Sequence, residues 1–235
     1  MVDSYLKLLV FCLIVGFGVY YAFPYGLHYV EYEALAKSVG VTLMLTVGGV
    51  LIGTVLGFIL AFLRMINNPV LSFIIDEYID ILRGTPMVVQ LIIFAYVILA
   101  TLSDSFYAAL IALGLNSSAY IAEIVRAGIQ SVDKGQMEAG RAMGLNYAQT
   151  MKEIIFPQAI KNILPSLANE FITLFKETSI VGYISVNDLS LQAKALQATV
   201  YSATPLIFAA VIYYTLVKIF SWLSKLLEKY LHKND

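Results

Sequence analysis

An apolar segment over residues 162–184 carries polar and ionisable side chains that a helix facing lipid would exclude. Asn169, Thr173 and Lys176 fall on one face of a helix, and Glu170 lies next to them in the chain. Ionisable groups within a membrane are costly and usually face a cavity or a partner. A zwitterion needs a cation or an amide for its carboxylate and an acid for its ammonium, and these residues supply both. We therefore predict that they contact a zwitterionic substrate, with Glu170, which has no adjacent basic residue, as the leading contact.

A second polar face precedes this segment in the chain. Asn116, Tyr120 and Glu123 stand at the i, i+4 and i+7 positions of a helix and are predicted to line the same site. Glu123 has a second explanation, because Arg126 lies three residues further on and ion pairs at this spacing stabilise a helix. The pattern alone leaves both roles of Glu123 open.

The elements that must position these residues are predicted to be transmembrane helices. Of 235 residues, 60% are hydrophobic and only 13% are charged, whereas about 25% is usual in soluble domains. A bilayer core needs about 20 apolar helical residues. Five stretches of about this length lack Asp, Glu, Lys and Arg: residues 8–30, 38–63, 84–103, 105–122 and 195–217. With the polar segment 162–184, they predict an all-α integral membrane protein with six spans.

The basic residues predict the orientation of these spans. If the N-terminus is cytoplasmic, most of the 15 Lys and Arg residues fall in cytoplasmic segments, while Lys37 and Lys194 remain outside. Cytoplasmic loops are enriched in Lys and Arg. We therefore expect both termini on the cytoplasmic side of the inner membrane.

Glycines and amphipathic spacing predict two further features. Gly49, Gly53 and Gly57 form a ridge of small residues, which lets helix backbones approach closely within one chain or across a dimer. Ile75, Ile79 and Leu82 follow helical spacing among acidic residues, which indicates a short amphipathic helix at the cytoplasmic interface.

The cytoplasmic loop after the fourth charge-free stretch is long and is predicted to be helical. A helix over 136–143 would end at Gly144, a residue that tolerates the left-handed geometry of a helix C-terminus. Asn146 followed by Gln149 has the spacing of a capping box. The second short helix is expected to stop at Pro157. The loop would therefore form a helix–turn–helix elbow outside the membrane.

This elbow resembles the EAA loop of type I ABC importer permeases. The matching residues are Glu138, Ala139, Gly140, Gly144, Ile154 and Pro157. Gly140 stands where the family has Ala and Phe156 where it has Leu, and both substitutions roughly keep size or hydrophobic character. Three other segments are similar to the polar amino acid subfamily in the same order: Arg83-Gly84-Thr85-Pro86, residues 116–136, and Lys176-Glu177-Thr178-Ser179.

The resemblance implies a five-helix type I permease core, here with an additional N-terminal helix. It divides the chain into an N-terminal transmembrane helix with a short external loop (1–30), an ABC type-1 transmembrane domain (38–228) and a cytoplasmic tail (229–235). It implies a second permease subunit, identical or not. Lys176 and Glu177 could then pair across the interface between the two subunits. Two copies of a cytoplasmic ABC ATPase would receive the elbow in a groove, and an extracytoplasmic solute-binding protein would deliver an amino acid. Membrane lipid would surround the spans.

Several function classes find no support in the residues. The chain has no GxxxxGK[ST] phosphate-binding loop of its own, and neither HExxH nor a Cys/His cluster that would indicate a metal site. We therefore predict no catalytic residues, no metal, no cofactor and no enzyme activity. A net charge of −1 gives no basic surface for nucleic acid. The serious alternative is an ion-gradient-driven secondary amino acid transporter, although such folds commonly have two related halves with matching interrupted helices. A channel is a weaker third option, since the sequence shows no ring-forming filter segment.

Overall fold

The protein is described here by a computed structural model covering residues 2–24, 28–66 and 68–231. All regular structure within these residues is helical. The helices are α1 (Val2–Ala22), α2 (Tyr29–Arg64), α3 (Pro69–Gly84), α4 (Met87–Ile93), α5 (Ser105–Gln130), α6 (Lys134–Ala142), α7 (Tyr147–Thr150), α8 (Phe156–Glu177), α9 (Leu189–Val200) and α10 (Thr204–Leu231). Helix α4 continues as a π-helical turn over Phe94–Ile98, α7 as another over Met151–Ile155, and α8 as a 3-10 helix over Thr178–Ile184.

The longest helices, α2 and α5, pack closely along the predicted glycine ridge. A Cβ atom at Gly53 would lie 2.8 Å from the Ser117 Cβ, and one at Gly57 would lie 2.7 Å from the Ile121 Cγ2. These distances are shorter than ordinary carbon contacts, so α5 occupies the space that side chains on the ridge would need. The prediction of close backbone packing is therefore confirmed, and the partner of the ridge is within the same chain.

The predicted span over residues 84–103 is helical only over Met87–Ile98, which is shorter than the sequence indicated. Helices α3 and α4 meet at an angle of 107°. The break falls at Thr85 and Pro86, because the residue before a proline is restricted to extended backbone and Thr85 has φ −113° and ψ 146°. The apolar face of α3, which the sequence predicted, packs against Ala119 and Ala122 of α5.

Length and composition decide which of the described helices could cross a membrane. Helices α2, α5 and α10 are long and apolar enough to cross a membrane, and the bent pair α3–α4 counts as a fourth span if its two parts are taken together. Helix α8 is long enough but carries charged side chains, as the sequence indicated. Helix α1 has a shorter apolar stretch, Leu9–Ala22, and packs on α10, where the Phe11 and Tyr214 ring centroids are 6.0 Å apart.

The last apolar stretch, 195–217, is divided in the structure. Helix α9 ends at Val200, Tyr201 adopts left-handed backbone with φ 51°, and α10 begins at Thr204. The final span therefore lies further along the chain than predicted and reaches Leu231. Part of the predicted tail 229–235 is thus helical, and its residues 232–235 lie outside the described part of the chain.

Candidate functional site

The elbow forms around the predicted caps of α6 and α7. Gly144 has φ +91°, and the backbone N–H of Leu145 donates to the Gly140 carbonyl at 3.2 Å. At the start of α7, the Gln149 N–H donates to the Asn146 side chain, and the Asn146 N–H donates to the Gln149 side chain, both at 2.9 Å. The predicted helix end at Gly144 and the predicted capping box are both confirmed.

The prediction that Pro157 ends the second helix is wrong. Helix α7 passes through the π-helical turn Met151–Ile155 directly into α8, and Pro157 lies in the first turn of α8. Proline there removes one backbone hydrogen bond, and it closely follows the π-helical turn, where the regular i to i−4 ladder is already interrupted. The elbow is therefore joined to α8 by continuous helical backbone, with no flexible linker between them.

Gly140 is the point where the two arms of the elbow touch. It is the one buried residue of α6, and a Cβ atom there would overlap the Thr150 methyl group and lie 3.0 Å from the Ile154 Cδ1. Glu138, Ala139 and Gly144 are exposed, as is Met143 at 70% of its surface. The outer face of the elbow is therefore free for a partner, while its inner face is held by small-residue packing.

The predicted polar residues of α8 divide between two faces. Asn169, Thr173 and Lys176 are exposed along one side of the helix. Glu170 points to the other side, where it is only 8% exposed and accepts a hydrogen bond of 2.8 Å from the Ser117 hydroxyl of α5. The structure therefore brings Glu170 to α5 and does not place the four residues in one cluster. Sequence reasoning missed Ser117, because nothing in its local pattern distinguishes it from Ser118.

Asn116 holds the break between α3 and α4. Its side-chain amide donates to the Leu82 carbonyl at 3.2 Å and to the Gln90 side chain at 3.0 Å. Gln90 in turn donates to the Leu82 carbonyl at 2.7 Å and to the Thr85 carbonyl at 3.1 Å. These bonds satisfy carbonyl groups that the bend removes from the helical ladder. Asn116 is 3% exposed, so its amide is engaged within the protein.

Glu123 lies at the centre of an ion-pair cluster. Arg126 donates to both of its oxygens, at 2.9 Å and 2.7 Å, which confirms the predicted i, i+3 pair. Arg64 at the end of α2 also donates to Glu123 at 2.8 Å and lies 2.7 Å from a carboxylate oxygen of Asp76 on α3. The cluster therefore ties α2, α3 and α5 together at one end. Sequence reasoning missed the contributions of Arg64 and Asp76, because they come from distant parts of the chain.

A cleft of about 450 Å³ opens beside this cluster, between α5 and α8. Tyr120 lines it, and the guanidinium carbon of Arg83 lies 5.3 Å from the centroid of the Tyr120 ring. The full lining comprises Arg83, Tyr120, Glu123, Ile124, Ala127, Gly128, Ser131, Asn162 and Ser166. The structure thus adds Arg83, Asn162 and Ser166 to the polar residues that the sequence predicted.

Comparison with known proteins places this geometry in a family. Residues 53–233 match the family described as the binding-protein-dependent transport system inner membrane component. The chain belongs to this family. It is 41% identical over 205 residues to the arginine transport system permease protein ArtQ of Bacillus subtilis, covering 86% of this chain and 94% of ArtQ.

Two further comparisons agree with this assignment. The putative glutamine transport system permease protein GlnP of Rickettsia typhi is 40% identical over 193 residues, which cover 80% of this chain and 88% of GlnP. A crystal structure of an amino acid ABC transporter with histidines matches with a TM-score of 0.81 at 41% identity, covering 85% of this chain and 95% of that one.

Membership in the binding-protein-dependent transport family has direct consequences. The chain is a multi-pass transport subunit of the inner membrane with a type I ABC permease fold, and α1 stands before the matched region. The family implies a separate ATPase and a solute-binding protein as partners. The comparison therefore favours this class over an ion-gradient-driven secondary transporter, the alternative that the sequence left open.

Proposed function

We propose that this chain is the permease subunit of an ATP-driven importer that brings an amino acid into the cytoplasm. The elbow carries this proposal, because its capped arms and exposed outer face fit a part that transmits force from a soluble ATPase. The relatives that support the cargo class are named for different amino acids, arginine and glutamine. Because relatives of similar identity are named for different amino acids, we expect the transport path to recognise groups that all amino acids share. The comparisons do not single out one amino acid as the cargo.

The coupling step follows from the way the elbow is built. Glu138, Ala139 and the large side chains Met143 and Tyr147 are exposed and would enter a groove on the ATPase, in the manner of a helix docking by one face. Because α7 runs into α8 through continuous helical turns, movement of the ATPase would be transmitted to α8. The angle between the elbow and α8 would be fixed by four residues at the joints of the elbow: Gly140, Gly144, Ile154 and Pro157.

The substrate path is proposed to follow α8. Asn169, Thr173 and Lys176 would offer polar contacts along the exposed face of α8. The Glu170 carboxylate lies on the opposite, buried face, so it would receive the ammonium group of the amino acid once movement of α8 against α5 opens that side. The exposed polar face is unfavourable against hydrocarbon, which supports its coverage by a second permease subunit, identical or related. Tyr120 would line the path closer to the cytoplasm. Asn116 and Glu123 are assigned a positioning role, since their polar atoms are engaged by neighbouring helices.

The assembly and its orientation complete the proposal. Two permease subunits and two ATPase copies would form the transporter, with both termini of this chain in the cytoplasm. In this orientation the elbow faces the ATPase, and the ends of α2 and α5 that carry Arg64 and Arg126 lie on the cytoplasmic side. The turns at Ser103 and at Tyr201 then lie outside, where the solute-binding protein would dock.

ATP hydrolysis by the reconstituted complex tests the proposed function. The permease, its cognate ATPase and the binding protein would be assembled in lipid nanodiscs, and phosphate release would be measured with and without amino acid. We expect the amino-acid-loaded binding protein to raise hydrolysis several-fold over the unloaded protein. Equal hydrolysis with every amino acid and with none would contradict the proposal.

A further inference from the structure

Arg83 is the least fully paired of the three arginines beside the cleft. Both oxygens of Glu123 accept hydrogen bonds of 2.7–2.9 Å from Arg64 and Arg126. The nearest nitrogen of Arg83 lies 3.7 Å from Glu123, beyond hydrogen-bond distance. The cluster combines the guanidinium groups of these three arginines with the carboxylates of Asp76 and Glu123. It therefore carries one more positive charge than negative charge.

The surroundings of Arg83 hold its guanidinium in a defined place. The residue lies in the last turn of α3, just before the break at Thr85 and Pro86, and its guanidinium lies over the Tyr120 ring. A cation–π contact of this kind is an electrostatic attraction to the ring and does not use the guanidinium N–H groups as hydrogen-bond donors to a carboxylate. The Arg83 side chain is 40% exposed, and the residue lines the cleft.

The opposite wall of the cleft offers neutral hydrogen-bonding groups. Asn162 and Ser166 on α8 line it together with Ser131. The Asn162 amide donates to the Ser131 hydroxyl at 2.8 Å, which orients both side chains. The cleft is therefore lined by the Arg83 guanidinium, the Tyr120 ring, the Glu123 carboxylate and these neutral polar groups. Because both oxygens of Glu123 already accept hydrogen bonds from Arg64 and Arg126, the N–H groups of Arg83 remain for a small carboxylate.

We propose that this cleft is a carboxylate-binding station for the transported amino acid, with the Arg83 guanidinium as the group that receives the carboxylate. The inference rests on the proposed function. Guanidinium groups bind carboxylates through two parallel hydrogen bonds with high geometric specificity. Tyr120 stands one helical turn from Ser117, the partner of Glu170, or about 5 Å along α5. The station therefore lies just cytoplasmic of Glu170, where an amino acid leaving that carboxylate would next be held.

Competition binding to the purified permease–ATPase complex in nanodiscs, without binding protein, tests this station. The radiolabelled amino acid found by uptake would be displaced by the same amino acid and by its carboxamide, which lacks the negative charge. We expect the acid to bind at least about tenfold more tightly than the carboxamide, because a hydrogen bond to a charged group is worth this much or more. Arg83→Gln should reduce the preference to about twofold, and Arg83→Lys, which keeps the charge but loses the two parallel hydrogen bonds, should keep only part of it.

The matched control is Lys37→Gln, which removes an exposed cation paired with Glu33 at the other end of α2 and should leave the preference unchanged. A tenfold preference retained by R83Q would overturn the station. If R83Q does not co-purify with the ATPase, Ser166→Leu replaces it, since leucine would narrow the cleft and remove a hydroxyl from its lining without changing its charge. This variant should lower affinity for the acid about tenfold, and unchanged affinity would overturn the station. Absence of ATP-driven uptake by the wild-type complex would instead refute the proposed function.

Discussion

Glu170 is the residue on which the proposed substrate path most depends. Its carboxylate is buried between α8 and α5, where the Ser117 hydroxyl donates a hydrogen bond to it. An ionisable group at this depth needs a partner, and the ammonium group of a passing amino acid would supply one. We predict that Glu170→Gln lowers ATP-driven uptake at least about tenfold by loss of a charge-assisted contact.

Glutamine suits this test because its amide oxygen can still accept the bond from Ser117, so that only the charge is removed. Uptake and co-purification with the ATPase would be measured together. Glu33→Gln, at an exposed pair in the outer part of α2, is the matched control and should transport normally. Unchanged uptake and affinity in Glu170→Gln would remove Glu170 from the substrate path.

Gly140 illustrates what residue-level reasoning could and could not predict. The sequence treats Gly140 as a benign replacement of Ala, whereas the structure shows that a Cβ atom there would overlap the Thr150 methyl group. The caps at Gly144 and Asn146 were predictable because each depends on neighbouring residues. The Gly140 contact was not predictable, because Thr150 reaches it only after the chain has turned.

The same contact gives a second prediction. Gly140→Ala should destabilise the elbow by about 1–3 kcal/mol through overpacking and reduce the amount of amino acid imported per ATP hydrolysed. Adding Thr150→Ser removes the methyl group and keeps the hydroxyl that bonds the Asn146 carbonyl. The double variant should therefore recover most of the coupling. The measurement is the ratio of amino acid imported to ATP hydrolysed in the same vesicles. If Thr150→Ser does not restore this ratio in the Gly140→Ala background, the contact between Gly140 and Thr150 does not control coupling.

At the scale of elements, the turn between α6 and α7 is the critical joint. Gly144 has φ +91°, a conformation that is costly for a β-branched residue. We predict that Gly144→Val abolishes ATP-driven uptake and leaves membrane insertion intact, because the strain falls on the elbow and not on the spans. Gly40→Val in α2 is the matched control, as a Cβ atom there meets nothing within 4 Å. Normal uptake by Gly144→Val would show that the elbow does not transmit force.

The positions of the elements were only partly predictable. Apolar stretches and amphipathic spacing indicated helices, but not the 107° angle between α3 and α4 or the start of α10 at Thr204. The break depends on Gln90 and Asn116, whose side chains satisfy the Leu82 carbonyl from later parts of the chain. The glycine ridge indicated close packing of α2 against another helix, but it did not identify α5 as the partner. Each of these features depends on contacts between residues that are far apart in the sequence.

For the whole molecule, composition and motif order were sufficient to predict a membrane protein and its family. The assembly follows less directly, since a polar face on α8 indicates coverage by another surface but does not identify it. The face formed by Asn169, Thr173 and Lys176 is proposed to meet a second permease subunit. A transporter with two subunits would then enclose the path between two copies of α8 or between α8 and its counterpart.

The most direct test of the central claim is uptake of a labelled amino acid mixture into proteoliposomes. The vesicles would hold this chain and its cognate ATPase, with the binding protein on one side and ATP on the side of the ATPase. The proposed function predicts accumulation of one or a few amino acids that requires both ATP and the binding protein. Uptake driven by an ion gradient with neither partner present would contradict it.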